Sequence, residues 1–163
     1  MFVSDAMTTD VVTIGPSHSL RDASKVRHLG ITHYRADAHA ELERVLTSGH
    51  FDFVQLNYSL AEPEADRRLL PFCLERGISV MVNRPFADGA MFGRVRDKPL
   101  PPIARELGIA SWAQYFLKWI VGHPAVTCVI PATSKPRNMQ DNCRAGFGAM
   151  PDSRQRASMA QAW

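Results

Sequence analysis

Short apolar runs alternate with longer amphipathic stretches along the chain from Arg27 onward, and turn residues separate them. Residues 28–32 read as a strand. Residues 37–46 follow as a helix with Ala38, Leu42, Val45 and Leu46 on one face, ended by Gly49, and 53–56 is the next strand. The pattern repeats: 65–76 is helical through Leu69, Leu70, Phe72 and Cys73, Gly77 marks its boundary, and 78–82 is a third strand. With Gly89, Gly93 and three prolines, 87–102 predicts a long loop of the kind that serves binding. Residues 109–121 predict a helix carrying Trp112, Phe116, Leu117 and Trp119, and Gly122-His123-Pro124 leads from it to a last strand. Beyond Gly146 the residues turn small and polar, so 152–163 reads as a frayed helix or tail. This alternation predicts a parallel sheet with right-handed crossovers.

The last strand carries the clearest chemical signal. Val126, Cys128, Val129 and Ile130 suit a buried parallel strand, which breaks at Pro131 into a turn rich in hydroxyls and cations. Thr133 and Ser134 offer hydroxyls, Lys135 and Arg137 offer charge, and 138–142 can open a helix. A helix N-terminus attracts anions through its unpaired N–H groups and dipole, and two nearby cations would strengthen a phosphate contact. An ordinary strand-to-helix turn with solvated charges has the same composition. The residues alone leave both readings open.

Composition narrows the class. With 163 residues, 45% of them hydrophobic and 21% charged, the chain is expected to form one domain around one core. A complete β/α barrel takes about 250 residues, so half of one is what fits. The net charge of +3 comes from scattered Lys and Arg, which argues against a nucleic-acid surface. Three cysteines, Cys73, Cys128 and Cys143, show no C-x-x-C spacing and support neither a disulfide framework nor a metal site. No stretch resembles a signal peptide or a membrane span, which leaves a cytoplasmic location as the expectation and no membrane partner.

Four stretches carry a resemblance. KVRHLGITHY at 25–34, FDFVQLNYS at 51–59, ISVMVNRPFADGAMF at 78–92 and TCVIPATSKPRNMQDN at 127–142 resemble, in order, the fifth, sixth, seventh and last strands of the aldo-keto reductases with their following loops. That family consists of eightfold β/α barrels that bind NADP(H) extended and without a Rossmann fold. The resemblance covers roughly 24–149 and implies an α/β fold: a partial (βα)8 TIM barrel of about four βα units, a half barrel, with an N-terminal strand and helix extension. Residues 1–24 resemble instead the opening of a CBS module. There Val11, Val12 and Ile14 form a β run, Gly15-Pro16 breaks it, and Ser17 or Ser19 can cap a helix. Two segments are expected, 1–24 CBS-like and 25–163 reductase-like, with no working CBS nucleotide site because only the first strand and helix of such a module are present.

The resemblance assigns a cofactor set. Thr32 and His33 fall where the family, more often with Ser-Asn, binds the nicotinamide carboxamide, and Gln55 matches the glutamine on the same amide. Asn83 stands where many members stack an aromatic ring, a departure from the pattern. Arg84, Pro85, Phe86 and Gly89 enter the pyrophosphate loop. Ile130, Ala132, Thr133 and Ser134 follow the last strand, Lys135 and Arg137 suit the 2′-phosphate, and Asp141 and Asn142 complete the set, Asn142 at adenine. Without the family, Gln55 reads equally as satisfying a buried backbone group and His33 as a surface turn residue.

No catalytic residue is assigned. The family's tyrosine proton donor and the lysine, histidine and aspartate that tune it sit on the first four strands, nothing before Lys25 resembles those strands, and Tyr34 and Tyr58 fall in the wrong motifs. The expected function is a reductase-like fragment with a weak or vestigial NADP(H) site, inactive alone and without turnover of a carbonyl substrate. The alternative is a non-enzymatic self-associating or chimeric scaffold. Half a barrel leaves two sheet edges unpaired and one face open, so a homo-oligomer is expected, two copies being enough to close an eight-stranded ring.

Overall fold

Four short parallel strands in the order β1-β2-β3-β4 organise the computed structural model, which describes residues 27–163. They are β1 (Gly30–Thr32), β2 (Phe53–Asn57), β3 (Ser79–Asn83) and β4 (Val126–Val129). Neighbouring strands of the sheet are also consecutive in sequence, each pair joined by a crossover that contains helix. Alternation then sorts the side chains. Val54, Leu56, Val80 and Val82 have no exposed surface and join a core with Leu42, Leu46, Leu69, Leu70 and Ile120 from the helices. The register sets Thr32, Gln55, Met81 and Cys128 side by side on the opposite face. Of these, Thr32 is exposed and the other three are half-buried.

Among the described residues seven α-helices follow in chain order: α1 (His39–Ser48), α2 (Leu69–Arg76), α3 (Ala90–Arg94), α4 (Ile103–Glu106), α5 (Trp112–Val121), α6 (Pro136–Arg144) and α7 (Ser153–Ala162). Every residue of α5 from Gln114 to Ile120 is buried, as befits a helix enclosed on all sides. Among the described residues no helix is long and apolar enough to cross a membrane.

Several boundaries differ from expectation. The helix predicted from 65 is broken: a 3-10 turn, Glu64–Arg67, precedes α2, and Arg68 between them leaves the helical region (φ −149°, ψ −50°) with its guanidinium forked onto Glu43. The helix predicted from 109 begins at Trp112, because the Ser111 side chain caps it by accepting from Gln114 N. The predicted loop at 87–102 contains a 3-10 turn, Ala87–Gly89, and then α3, which forms because Met91 is fully buried. The predicted frayed tail is an ordered helix, α7. Asp152 and Gln155 form a capping box at its start, and Met159 is fully buried. The segment resembling a CBS opening, 1–24, lies outside the described residues.

A half-buried polar cluster locks α7 to the loop after β2. The Tyr58 hydroxyl donates to Asp66 Oδ2 (2.7 Å) and accepts from Arg156 Nη2 (2.6 Å). His123 Nε2 lies 3.1 Å from Asp66 Oδ1, and Arg156 Nε donates to Trp119 O (2.9 Å) while its guanidinium covers the Trp119 ring. Burial works to raise the Asp66 carboxyl, but hydrogen bonds from His123 and Tyr58 and the charge of Arg156 outweigh it and hold the group below the usual carboxylate value. Burial drives the Tyr58 phenol the other way, far above its ordinary value.

Candidate functional site

Parallel α/β sheets place their sites beyond the C-terminal ends of the strands. A cavity of about 500 Å³ opens there, beside the ends of β3 and β4. One wall follows β3 and consists of Arg84, Pro85, Phe86, Asp88, Gly89 and Phe92. The other follows β4, with Ile130, Ala132 and Thr133, and the helices add Ala113, Asn138, Asp141 and Asn142. Nine residues of the cofactor set assigned from sequence therefore meet around one space: Arg84, Pro85, Phe86, Gly89, Ile130, Ala132, Thr133, Asp141 and Asn142.

The remaining seven stand elsewhere. Thr32 and Asn83 end β1 and β3, His33 follows Thr32, and Gln55 sits in the middle of β2, all four outside the cavity lining. His33 N donates to Gln55 O (2.9 Å), and its ring stacks on Tyr34 with centroids 5.4 Å apart. Asn83 Nδ2 reaches across β2 to donate to His33 O (3.0 Å), while its buried Oδ1 has no hydrogen-bond partner among the described residues. Ser134, Lys135 and Arg137 are exposed at the start of α6. Lys135 is the N-cap residue, and its N–H donates to Thr133 Oγ1 (3.2 Å), which shapes the turn. Neither Lys135 nor Arg137 forms an ion pair among the described residues.

Among the described residues Arg84 is the only cation in the cavity lining, and its guanidinium is engaged on several sides. Nη1 donates to Tyr34 O (2.9 Å), Nε and Nη2 fork onto the Asp88 carboxylate (3.2 and 2.9 Å), and Glu62 stands 3.8 Å away. The backbone around it is strained. Arg84, Ala87 and Asp88 have φ of 48°, 47° and 54°, left-handed values that cost a non-glycine residue on the order of 1 kcal/mol each. The Asp141 carboxylate is held by neutral donors, Ser111 Oγ (2.5 Å) and Gln114 Nε2 (2.6 Å), which ties α6 to the start of α5.

Sequence reasoning missed four wall residues: Asp88, Phe92, Ala113 and Asn138. For Asp88 a signal existed, since it lies four residues after Arg84 and next to Gly89. The other three depend on packing between elements. Among the described residues no cluster of three potential metal ligands occurs. Tyr58, far from free, is enclosed between Asp66 and Arg156.

Comparison with known proteins agrees with this architecture. The sequence profile described as the Aldo/keto reductase family matches residues 13–157, and so opens inside the segment expected to be CBS-like. The NADH-specific methylglyoxal reductase of Escherichia coli (strain K12) is 29% identical over 93 residues, 57% of this chain and 28% of that protein. Among solved structures, the aldo/keto reductase from Klebsiella pneumoniae in complex with NADP and acetate is similar at a TM-score of 0.62 and 26% identity, over 87% of this chain and 50% of that one. The holo form of aldo-keto reductase AKR11C1 from Bacillus halodurans is similar in fold at a TM-score of 0.64 and 18% identity, over 88% and 52%. This chain thus spans about half the length of these solved structures. A profile match over most of its length, on a sheet of four parallel strands, shows that the chain belongs to the aldo/keto reductase family.

Proposed function

We propose that the chain is the cofactor side of an aldo-keto reductase, a half barrel of about four βα units that binds NADP(H) weakly and chiefly by its adenosine-phosphate end. The observation that carries this reading is the convergence of the loops after β3 and β4 on one cavity of about 500 Å³. Asp141 and Asn142 line it on the α6 side, and Lys135 and Arg137 stand exposed at the N-terminus of α6, with no carboxylate paired to them among the described residues, where a 2′-phosphate would find both charge and N–H donors. The nicotinamide end is less well provided. Asn83 supplies no ring to stack on, and its amide is tied to His33 O.

The related E. coli enzyme is NADH-specific and the Klebsiella protein holds NADP, so cofactor preference is the sharpest test. Lys135→Ala and Arg137→Ala should each weaken NADP(H) binding by about three- to tenfold and leave NAD(H) nearly unchanged, as read by fluorescence titration. Equal losses for both cofactors would reject the 2′-phosphate assignment. Oxidation of NADPH with aldehydes or ketones should stay at background, since no residue of the chain is assigned the family's proton donor. Turnover that survives rigorous purification and depends on His33 or Tyr58 would overturn that.

Self-association belongs to the same proposal. β1 and β4 are the outer strands of the sheet, and the face bearing Thr32, Gln55, Met81 and Cys128 is only partly covered among the described residues. Parallel sheets are ordinarily covered on both faces, and a second copy would supply four further strands. Light scattering at micromolar concentration should report at least twice the 18.2 kDa chain mass. A stable monomer that binds no hydrophobic dye would exclude it.

A further inference from the structure

We infer that Asp88 is a built-in competitor for the anion site on Arg84: its carboxylate occupies the guanidinium edge that a ligand phosphate would take, and must swing out before the phosphate can bind. The inference rests on the cofactor reading above and adds to it a residue that sets affinity. Arg84 and Asp88 both line the cavity, and Arg84 is the only cation among the described residues that does. The edge of the guanidinium formed by Nε and Nη2 is a two-pronged donor matched to two oxygens of one anion, and Asp88 fills it with Oδ1 at 3.2 Å and Oδ2 at 2.9 Å. A phosphate entering the cavity asks for the same edge.

The two partners are unequally held. Arg84 is anchored independently of Asp88, because Nη1 donates to Tyr34 O at 2.9 Å and Glu62 lies 3.8 Å from Nη2. Its side chain is 29% exposed, so the cation stays in place at the cavity wall when its carboxylate leaves. The Asp88 side chain is 71% exposed and accepts hydrogen bonds from Arg84 alone among the described residues. An ion pair with one partner so open to water is weak, and its acidic partner is readily re-solvated. Ala87 and Asp88 also hold left-handed backbone conformations that favour glycine, so the segment carrying the carboxylate has strain to release by moving. Asp88 therefore neutralises the site while it is empty and gives way on binding.

The test is a titration of the full chain with NADPH and, separately, with inorganic pyrophosphate. Asp88→Ala and Asp88→Asn should each bind both probes about three- to tenfold more tightly than the unaltered chain, and the gain should vanish when Arg84→Ala is added. The sign separates this from a supporting role. A carboxylate that merely props the loop would give weaker binding in Asp88→Ala and partial rescue in Asp88→Asn, whose amide can still bond Arg84. Equal or weaker binding by both variants, with the unaltered chain binding normally, overturns the inference and leaves the cofactor reading standing. Binding of neither probe by the unaltered chain or either variant, with far-UV circular dichroism showing all three folded, overturns both.

Discussion

Two polar clusters, one around Tyr58 and one around Arg84, use similar residues for opposite ends. In the first, Asp66 and Arg156 meet through a phenol with no exposed surface, His123 closes the remaining side, and the stacked Trp119 ring shields the group. In the second, Arg84 grips a mostly exposed Asp88 on a left-handed loop, and the neighbouring Asn83 keeps a buried oxygen without a partner among the described residues. Fully partnered around a buried phenol, the first cluster joins distant elements. Strained and half-open, the second is suited to exchange one partner for another. Local order alone does not separate them. What differs is whether each polar atom has found its full complement of bonds within the chain.

Truncating the arginine in each cluster should give the largest contrast. Arg156→Ala removes the donor to Tyr58 and to Trp119 O and leaves Asp66 short of a counter-charge, so it should cost about 3 kcal/mol in chemical denaturation. Arg84→Ala should cost less than about 1 kcal/mol, since the pair it breaks is open to solvent. Similar costs for the two would erase the distinction. A smaller effect should appear with pH. The folded-state value of Asp66 is depressed, so its contribution to stability is present above the unfolded carboxylate value of about 3.9 and is lost as pH falls through the lower folded value. Acid titration of the denaturation midpoint should therefore show a decline that Asp66→Asn flattens. An unchanged profile in that variant would assign the acid sensitivity to other carboxylates.

Much of the sheet was legible in the sequence because its strands are short runs of Val, Leu, Ile and Met between turn residues, and such runs have few alternatives. The helices were less so. α3 lay hidden in a segment whose glycines and prolines signal a loop, because what stabilises it is the burial of Met91, a tertiary contact. α7 looked like a tail for the same reason. Its residues are mostly small or polar, and its hold on the fold comes from Met159 and Arg156 contacting distant elements. In the candidate site, the residues on the β3 and β4 loops followed from the family's order of motifs. Asp88 did not, although its spacing from Arg84 hinted at it; what an Ala-Asp-Gly sequence does not announce is that the first two residues, along with the glycine, adopt positive φ.

The hydrogen bond between Arg156 and Tyr58 joins residues 98 positions apart. During synthesis, the loop after β2 emerges long before the arginine that completes it. At a translation rate of about 5–20 residues per second, that delay is roughly 5–20 seconds. For that interval Asp66 lacks one of the charges that make its burial tolerable, so the loop has reason to stay hydrated and the sheet behind it unsealed. A contact of such long range also slows refolding of the complete chain, because its loop must close before its bond forms. The joint that makes the finished molecule secure is thus the one that keeps the nascent chain open longest.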